Sequence, residues 1–126
     1  MGIVWFNEKP KDGIATLYDS NITLNKTSID NLEDTYSVML GINYEEKKIV
    51  IKPLNKEQDQ RGDIPERQRY KITIRASYGR ISNKEFMKEI QDLACIDLAK
   101  GPRKFKTIWD SSEKILIIDL NKREDD

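Results

Sequence analysis

The cationic side chains that could contact an anionic polymer concentrate in two short stretches of the second half of the chain. One surrounds the turn-like segment "RASYGR" (75–80), and the other, "KGPRKFK" (100–106), contains no acid. Arginine and lysine are the side chains that proteins use to contact phosphates and base edges. The alternative for each residue is that it is a solvated surface side chain whose charge is balanced by nearby acids. The candidate DNA-binding residues are Arg75, Arg80, Lys84, Arg103 and Lys104.

The composition excludes several kinds of chemistry. The sequence has no histidine and one cysteine, Cys95. Zinc sites and histidine-dependent catalytic triads need those residue types, so we expect no catalytic residues, no metal site and no cofactor. Cys95 lies in the apolar-leaning "LACIDL", which predicts a small buried hydrophobe. A lone thiol cannot form an internal disulfide, which is typical of a cytoplasmic protein.

The bulk composition predicts one domain without a membrane partner. The 126 residues include 22 basic and 22 acidic side chains, and no apolar run approaches the length of a membrane span. The first ten residues lack a basic leader, so we expect no signal peptide. The apolar residues 3–6, "IVWF", predict an extra edge strand packed on the domain, with a patch that awaits a partner as the alternative.

Two stretches of the chain resemble each other. At an offset of 58, Asn25-Lys26 falls on Asn83-Lys84. At an offset of 66, "EEKKIVIKPL" (45–54) falls on "SSEKILIIDL" (111–120), with four identities. The sequence therefore predicts a single domain, 1–126, made of two similar halves, 14–54 and 70–120. A polar connector, 55–69, joins them.

Each half shows the same order of structural signals. A strand (14–18 or 70–76) leads through a tight polar turn to a short extended piece and a helix. In the first half Thr27 or Ser28 is the expected N-cap of a helix near 28–33, and in the second half Ser82 or Asn83 takes that role. A hairpin with a polar turn closes each half. The predicted class is a β-rich α+β fold.

This order resembles the swapped-hairpin family of bacterial transition-state regulators, the AbrB/SpoVT type. The segments that carry the resemblance are "ASYGRISNKEF" with "KTIWDSSEKILIIDL", and "YDSNITLNKTSIDNL" with "INYEEKKIVIKPL". The chain departs from the family pattern because Asn-Lys replaces the usual proline before each helix. The resemblance implies two βαββ-like repeats that form a small swapped-hairpin-like barrel with short helices. It also implies a non-catalytic, DNA-binding regulator of transcription.

The charge distribution leaves two functions open. The first half has four lysines and six acids, net −2, whereas the second has ten basic residues and seven acids, net +3. The basic second half favours double-stranded DNA as the partner. The acidic first half and the neutral total favour the alternative, a protein-interaction or accessory module that binds a protein partner or a second copy of the chain and not DNA.

Overall fold

The structure is a computed structural model that describes residues 2–7 and 11–124. Within these residues the chain forms nine strands and three short α-helices. The strands are β1 (Ile14–Leu17), β2 (Asn21–Asn25), β3 (Ser37–Asn43), β4 (Lys48–Leu54), β5 (Tyr70–Lys71), β6 (Thr73–Ile74), β7 (Tyr78–Ser82), β8 (Arg103–Asp110) and β9 (Ile115–Arg123). The helices are α1 (Lys26–Ile29), α2 (Lys56–Gln60) and α3 (Lys84–Ala94), with 3-10 turns at Glu66–Gln68 and Leu98–Lys100.

The strands form a single antiparallel sheet that curls into a nearly closed barrel. Their order is β5-β3-β4-β9-β8-β1-β2-β7-β6. The two edge strands, β5 and β6, are separated in the chain by Ile72 alone, and β5 also contacts β7. The edges are two residues long, so little unpaired backbone is exposed for edge-to-edge association. The predicted β-rich α+β barrel with short helices is confirmed.

The hairpins of the barrel are exchanged between the two stretches of the chain. The hairpin β3–β4 pairs through β3 with β5, and the hairpin β8–β9 pairs through β8 with β1. The remaining contacts between the stretches join β2 to β7 and β4 to β9. Each stretch thus contributes one hairpin that pairs with a strand of the other stretch.

Local hydrogen bonds also correspond between the stretches. The Asn25 side chain accepts from the Ser28 backbone N–H at 3.0 Å, and that of Asn83 accepts from the Phe86 N–H at 2.8 Å. Both asparagines therefore act as N-caps, at the predicted offset of 58. The expectation for Asn83 is confirmed. The expectation of a cap at Thr27 or Ser28 is wrong, because α1 begins at Lys26 and ends at Ile29.

The two closing hairpins correspond at an offset of 67, so the sequence alignment at 66 is displaced by one residue. Both four-residue turns end in a lysine with positive φ, Lys47 and Lys114, each at 55°. Ile49 is fully buried, and its counterpart at 67 is the buried Leu116. Because strand side chains alternate between faces, a slip of one residue exchanges the inner and outer sets. The residues that are identical in the alignment at an offset of 66 therefore lie on opposite faces of the sheet.

The barrel interior is filled by the inward side chains of the strands, and the helices close it. In α3 the buried residues are Met87 and Ile90, whereas Phe86 and Leu93 are half-buried. Gly79 on β7 lies against α1, and a Cβ there would come within 2.9 Å of Ile29 Cγ2. This glycine allows the short helix to pack closely on the sheet.

Two further expectations differ from the structure. Residues Ile3–Phe6 form neither a strand nor a packed segment; all four side chains are exposed. Cys95 is exposed rather than buried, because it occupies the left-handed C-cap of α3 with φ 55°. The polar connector 55–69 contains α2, and its Asp59 carboxylate accepts from the Ser37 hydroxyl on β3 at 2.7 Å.

Candidate nucleic-acid interface

The tight turn near the predicted arginines spans Arg75 to Tyr78, where the Arg75 N–H donates to the Tyr78 carbonyl at 2.8 Å. Arg75 is exposed at the beginning of this turn. It lines a shallow groove that also contains Lys26 and the acids Asp30 and Glu33. The two carboxylates lower the positive potential around Arg75.

Arg80 lies on β7, beyond the turn, on the outer face of the barrel. Its neighbours Gly79 and Ile81 are buried, so the alternation of the strand directs Arg80 to solvent. The guanidinium carbon lies 5.6 Å from the centre of the Tyr78 ring, within the range of a cation–π contact. Among the described residues, no carboxylate forms an ion pair with Arg80. Its N–H groups are accordingly accessible to an external anion.

Arg80 belongs to a row of outward side chains that crosses five adjacent strands. Cross-strand pairing joins Lys104 to Thr16, Thr16 to Thr23, Thr23 to Arg80, and Arg80 to Thr73. The inward residues next to them, such as Ala15, Leu24 and Ile81, are at most 1% exposed. We call this set the polar row; its members are Lys104, Thr16, Thr23, Arg80 and Thr73.

On four of its five strands, the polar row is surrounded by hydroxyl and amide groups. The strands β1, β2, β6 and β7 contain no acidic residue. Asn21, Asn25 and Ser82 lie on these strands beside the threonines. Hydroxyls and amides of this kind donate hydrogen bonds to phosphate oxygens and to base edges. The row thus combines two cations with neutral donors and no repulsive charge on those four strands.

The predicted neighbours Arg103 and Lys104 lie on opposite faces of β8. Arg103 pairs in register with the fully buried Leu17, and its side chain is half-buried at the end of the barrel. Its Nη1 donates to the Gly101 and Pro102 carbonyls at 3.5 Å, and its Nε is buried without a hydrogen-bond partner. Consecutive strand residues alternate in direction, so Lys104 joins the polar row and Arg103 does not.

The five predicted residues therefore do not form one cluster. Lys84 begins α3 just beyond the end of β7, whereas Arg75 precedes its start, so the length of the strand separates them. Lys84 lines a surface depression of about 410 Å³ together with Asp19, Glu85 and Lys88. The structure places Arg80 and Lys104 on the polar row. The other three predicted residues lie outside the row: Arg75, Lys84 and Arg103.

Acids are present at one margin of the polar row. Lys106 forms ion pairs with Asp12 at 3.5 Å and Glu124 at 3.8 Å. Asp12 and Glu124 line the same shallow depression as Lys104 and Thr16. The positive potential is therefore strongest toward Arg80 and weakens beyond β8.

The groups with clearly shifted pKa values lie away from the polar row. A hydrogen bond to Glu89, with smaller contributions from desolvation and the Glu89 charge, raises the pKa of Tyr44. The hydrogen bonds from Ser112 and Glu113 lower the pKa of Asp110, which caps the β8–β9 turn. Neither shift concerns a residue that could contact a ligand on the row.

The threonines of the row were not identified from the sequence. Thr16, Thr23 and Thr73 are polar positions between buried apolar ones, so the alternation of each strand predicts that they point outward. Only the pairing register places them beside Arg80 and Lys104. The alternation was the available signal, but it does not say which strands are neighbours.

Comparison of the chain with protein-family models, curated proteins and solved structures returns no match. The resemblance to the AbrB/SpoVT type therefore stays a prediction. Among residues 2–7 and 11–124, the structure contains no group of three or more His, Cys, Asp or Glu side chains that could hold a metal ion. In the same part of the chain no helix has the length and apolar character needed to cross a bilayer.

Proposed function

We propose that this protein is a non-catalytic, cytoplasmic DNA-binding protein of the regulator type, which contacts duplex DNA through the polar row. The observation that carries the proposal is the row itself: Arg80 and Lys104 flank Thr16 and Thr23 on a face whose strands β1 and β2 contain no acid. Neutral donors between two cations suit a phosphate backbone and the groove beside it.

The dimensions of the row support a groove contact. Arg80 and Lys104 are three strand spacings apart, about 14 Å, which is close to the ~12 Å width of the major groove. Each cation would contact one phosphate strand, and the threonines between them would face base edges. Thr23 donates to the Asn21 side chain at 3.3 Å, which orients its hydroxyl within the face. Strands that read a groove are an established mode of DNA recognition.

The first prediction concerns Arg80. Replacing Arg80 by Ala removes one phosphate or base contact, so we expect the affinity for duplex DNA to fall roughly 5- to 100-fold and the salt slope to decrease by about one. Fluorescence anisotropy with labelled duplexes over a range of salt concentrations measures both quantities. The variant Thr23→Glu, which places a negative charge at the centre of the row, should abolish binding at the same salt.

The matched control is Arg61→Ala. Arg61 lies on the connector, where it forms exposed ion pairs with Glu57 and Asp63, and its removal changes the net charge by the same amount. Exposed ion pairs contribute little to stability, so this variant should fold and bind DNA like the unmodified chain. Equal losses for Arg80→Ala and Arg61→Ala would show that only net charge matters. Absence of binding by the unmodified chain at low salt would reject the proposal.

The alternative function, a protein-interaction module, is favoured by a separate observation. Ile3, Val4, Trp5 and Phe6 are between 76% and 96% exposed, although they form an uninterrupted apolar run. Such runs on soluble proteins mark interaction sites. This surface does not overlap the polar row, so binding of a protein and binding of DNA are experimentally separable.

A further inference from the structure

The segment that precedes the barrel is apolar and uncovered. We call residues 2–7 the N-terminal arm. It contains no charged residue, and Val4 and Phe6 are 96% and 86% exposed. Trp5 has 77% of its surface in water. Burial of such side chains releases roughly 1.5–3 kcal/mol each, so an uncovered arm has a strong tendency to find an apolar surface.

A second apolar surface lies on the outer wall of β3, β4, β9 and β8, where Val50 and Ile117 are half-buried. Cross-strand pairing joins Gly41 to Val50, Val50 to Ile117, and Ile117 to Ile108. The neighbouring residues Ile49 and Ile118 are fully buried. Because strand positions alternate, the four positions joined by these pairings lie on the outward side of the sheet. Ile108 is 49% exposed. We call the set Gly41, Val50, Ile117 and Ile108 the apolar face.

The apolar face lacks a side chain at one position, Gly41. A Cβ built on Gly41 would make ordinary contacts with two Val50 atoms, at 3.7 and 3.8 Å, so a side chain fits above this glycine. The missing side chain leaves a shallow recess beside Val50 in an otherwise filled row. Aromatic side chains inserted in such recesses are typical anchors of protein interfaces.

The chain passes the margin of the apolar face where the barrel begins. The Gly13 carbonyl accepts from the Thr107 N–H at 2.9 Å, and the residue after Thr107 is Ile108. The arm of a single chain does not cover the face of that chain, because the arm side chains stay exposed. A second chain is the partner that supplies both an arm and a face.

We propose that two copies of this chain associate by exchanging their N-terminal arms, each arm packing on the apolar face of the other copy. Such a contact is isologous, as in most homodimers. Arm and face are both uncharged, so no ion is desolvated on docking. Two aromatic side chains bury roughly 300–500 Å². Two arms therefore contribute roughly 600–1,000 Å² of aromatic surface, and the exposed parts of the faces add to it, so the contact approaches the lower limit of ~1,200 Å² for a stable interface.

This proposal does not depend on DNA binding. The apolar face is centred on β4 and β9, whereas the polar row is centred on β1, β2 and β7. The two sets share only β8, where Lys104 and Ile108 are four residues apart, and their other residues lie on different strands. Loss of the dimer should leave the Arg80 contact intact, and failure of DNA binding would not affect the dimer.

Sedimentation velocity of the full chain over a concentration series tests the proposal. We expect a dimer at high concentration that dissociates on dilution. Trp5→Ser with Phe6→Ser, and separately Ile108→Ser, should each raise the dissociation constant at least about 100-fold. The control is Tyr18→Ser, at a tyrosine that is 39% exposed and lies outside both surfaces; it should not change the dissociation constant.

A mixing experiment identifies the exchange itself. The arm variant has an intact face, and the face variant Ile108→Ser has an intact arm, so an equimolar mixture should form heterodimers more tightly than either variant forms homodimers. Circular dichroism of both variants should match that of the unmodified chain, because the substituted side chains are exposed. An unmodified chain that stays monomeric at all concentrations would overturn the proposal. A dimer that persists in both variants would overturn it as well.

Discussion

At the scale of single residues, the Asn25 side chain forms more hydrogen bonds than that of its counterpart Asn83. Its Oδ1 accepts from the N–H groups of Ser28 and Ile14 and from the Ser28 hydroxyl, and its Nδ2 donates to the Asp12 carbonyl. Among the residues that the structure describes, the Asn83 side chain accepts from the Phe86 N–H alone. Asn25 thus caps a helix and also holds the chain at the entrance of β1.

We therefore predict unequal costs for the same substitution at the two caps. Asn83→Ala should lower the free energy of unfolding by about 1 kcal/mol, the usual value of a lost N-cap. Asn25→Ala should lower it by roughly 2–4 kcal/mol, because the half-buried Ile14 N–H also loses its acceptor. Urea denaturation of both variants measures the difference. Equal costs would show that water replaces the Asn25 contacts without penalty.

At the scale of elements, the register of β9 decides which residues form the core. Leu116 and Ile118 are 1% and 0% exposed, whereas Ile115 and Ile117 are half-buried on the outer wall. All four are large and apolar, so composition does not distinguish the two faces. The pairing with β4 determines which face of β9 is buried, because Ile49 pairs with Ile118 and Ile51 pairs with Leu116.

The register gives a prediction for a pair of neighbouring residues. Leu116→Ala creates a cavity in the barrel and should lower the free energy of unfolding by about 2–5 kcal/mol. Ile115→Ala removes a side chain from the outer wall, where water fills the space, and should cost clearly less, about 1 kcal/mol. Thermal or urea unfolding of the two variants tests this. A larger cost for Ile115→Ala would support the offset of 66 and contradict the register described above.

At the scale of the whole molecule, the exchange of hairpins makes the barrel one unit. The hairpin β3–β4 finds its outer neighbours, β5 and β9, in the second stretch, and the first strand β1 pairs with β8. A stretch of about 40 residues buries too little apolar surface to fold alone. Each stretch therefore depends on the other for both hydrogen bonds and core.

This dependence predicts the behaviour of fragments. Fragments 1–62 and 63–126 should each lack a folded monomeric state, and an equimolar mixture should recover the strand signal and the dispersed amide resonances of the intact chain. Circular dichroism and proton NMR follow both properties. The uncut chain in the same buffer is the control. A folded, monomeric 1–62 fragment would contradict the interdependence of the two stretches.

The sequence predicted elements better than the contacts between them. The class of the fold, the two polar hairpin turns and the N-cap at Asn83 follow from local patterns of apolar, polar and turn residues. The cap at Asn25 was missed because Thr27 and Ser28 are equally good caps by residue type. The exposure of Cys95 was missed because an apolar neighbourhood in the sequence does not reveal that α3 ends there in a left-handed residue.

The candidate site was predicted only in part. Arg80 and Lys104 were identified from charge, but their separation from Arg103 depends on the alternation of β8. The polar row depends on four pairings among five strands, which come from distant parts of the chain. No local pattern specifies that Thr16 on β1 lies between Lys104 and Thr23.

By itself, the sequence determined the composition of the elements: alternating strands, polar turns, short capped helices, and a chemistry without histidine. These properties depend on residues that are close together in the chain, so they can be read directly from the sequence. The tertiary structure alone decided the register of β9, the exchange of the hairpins and the row that joins Arg80 to Lys104. Those features depend on which distant strands pair, and one residue of slip would have turned every outward side chain inward.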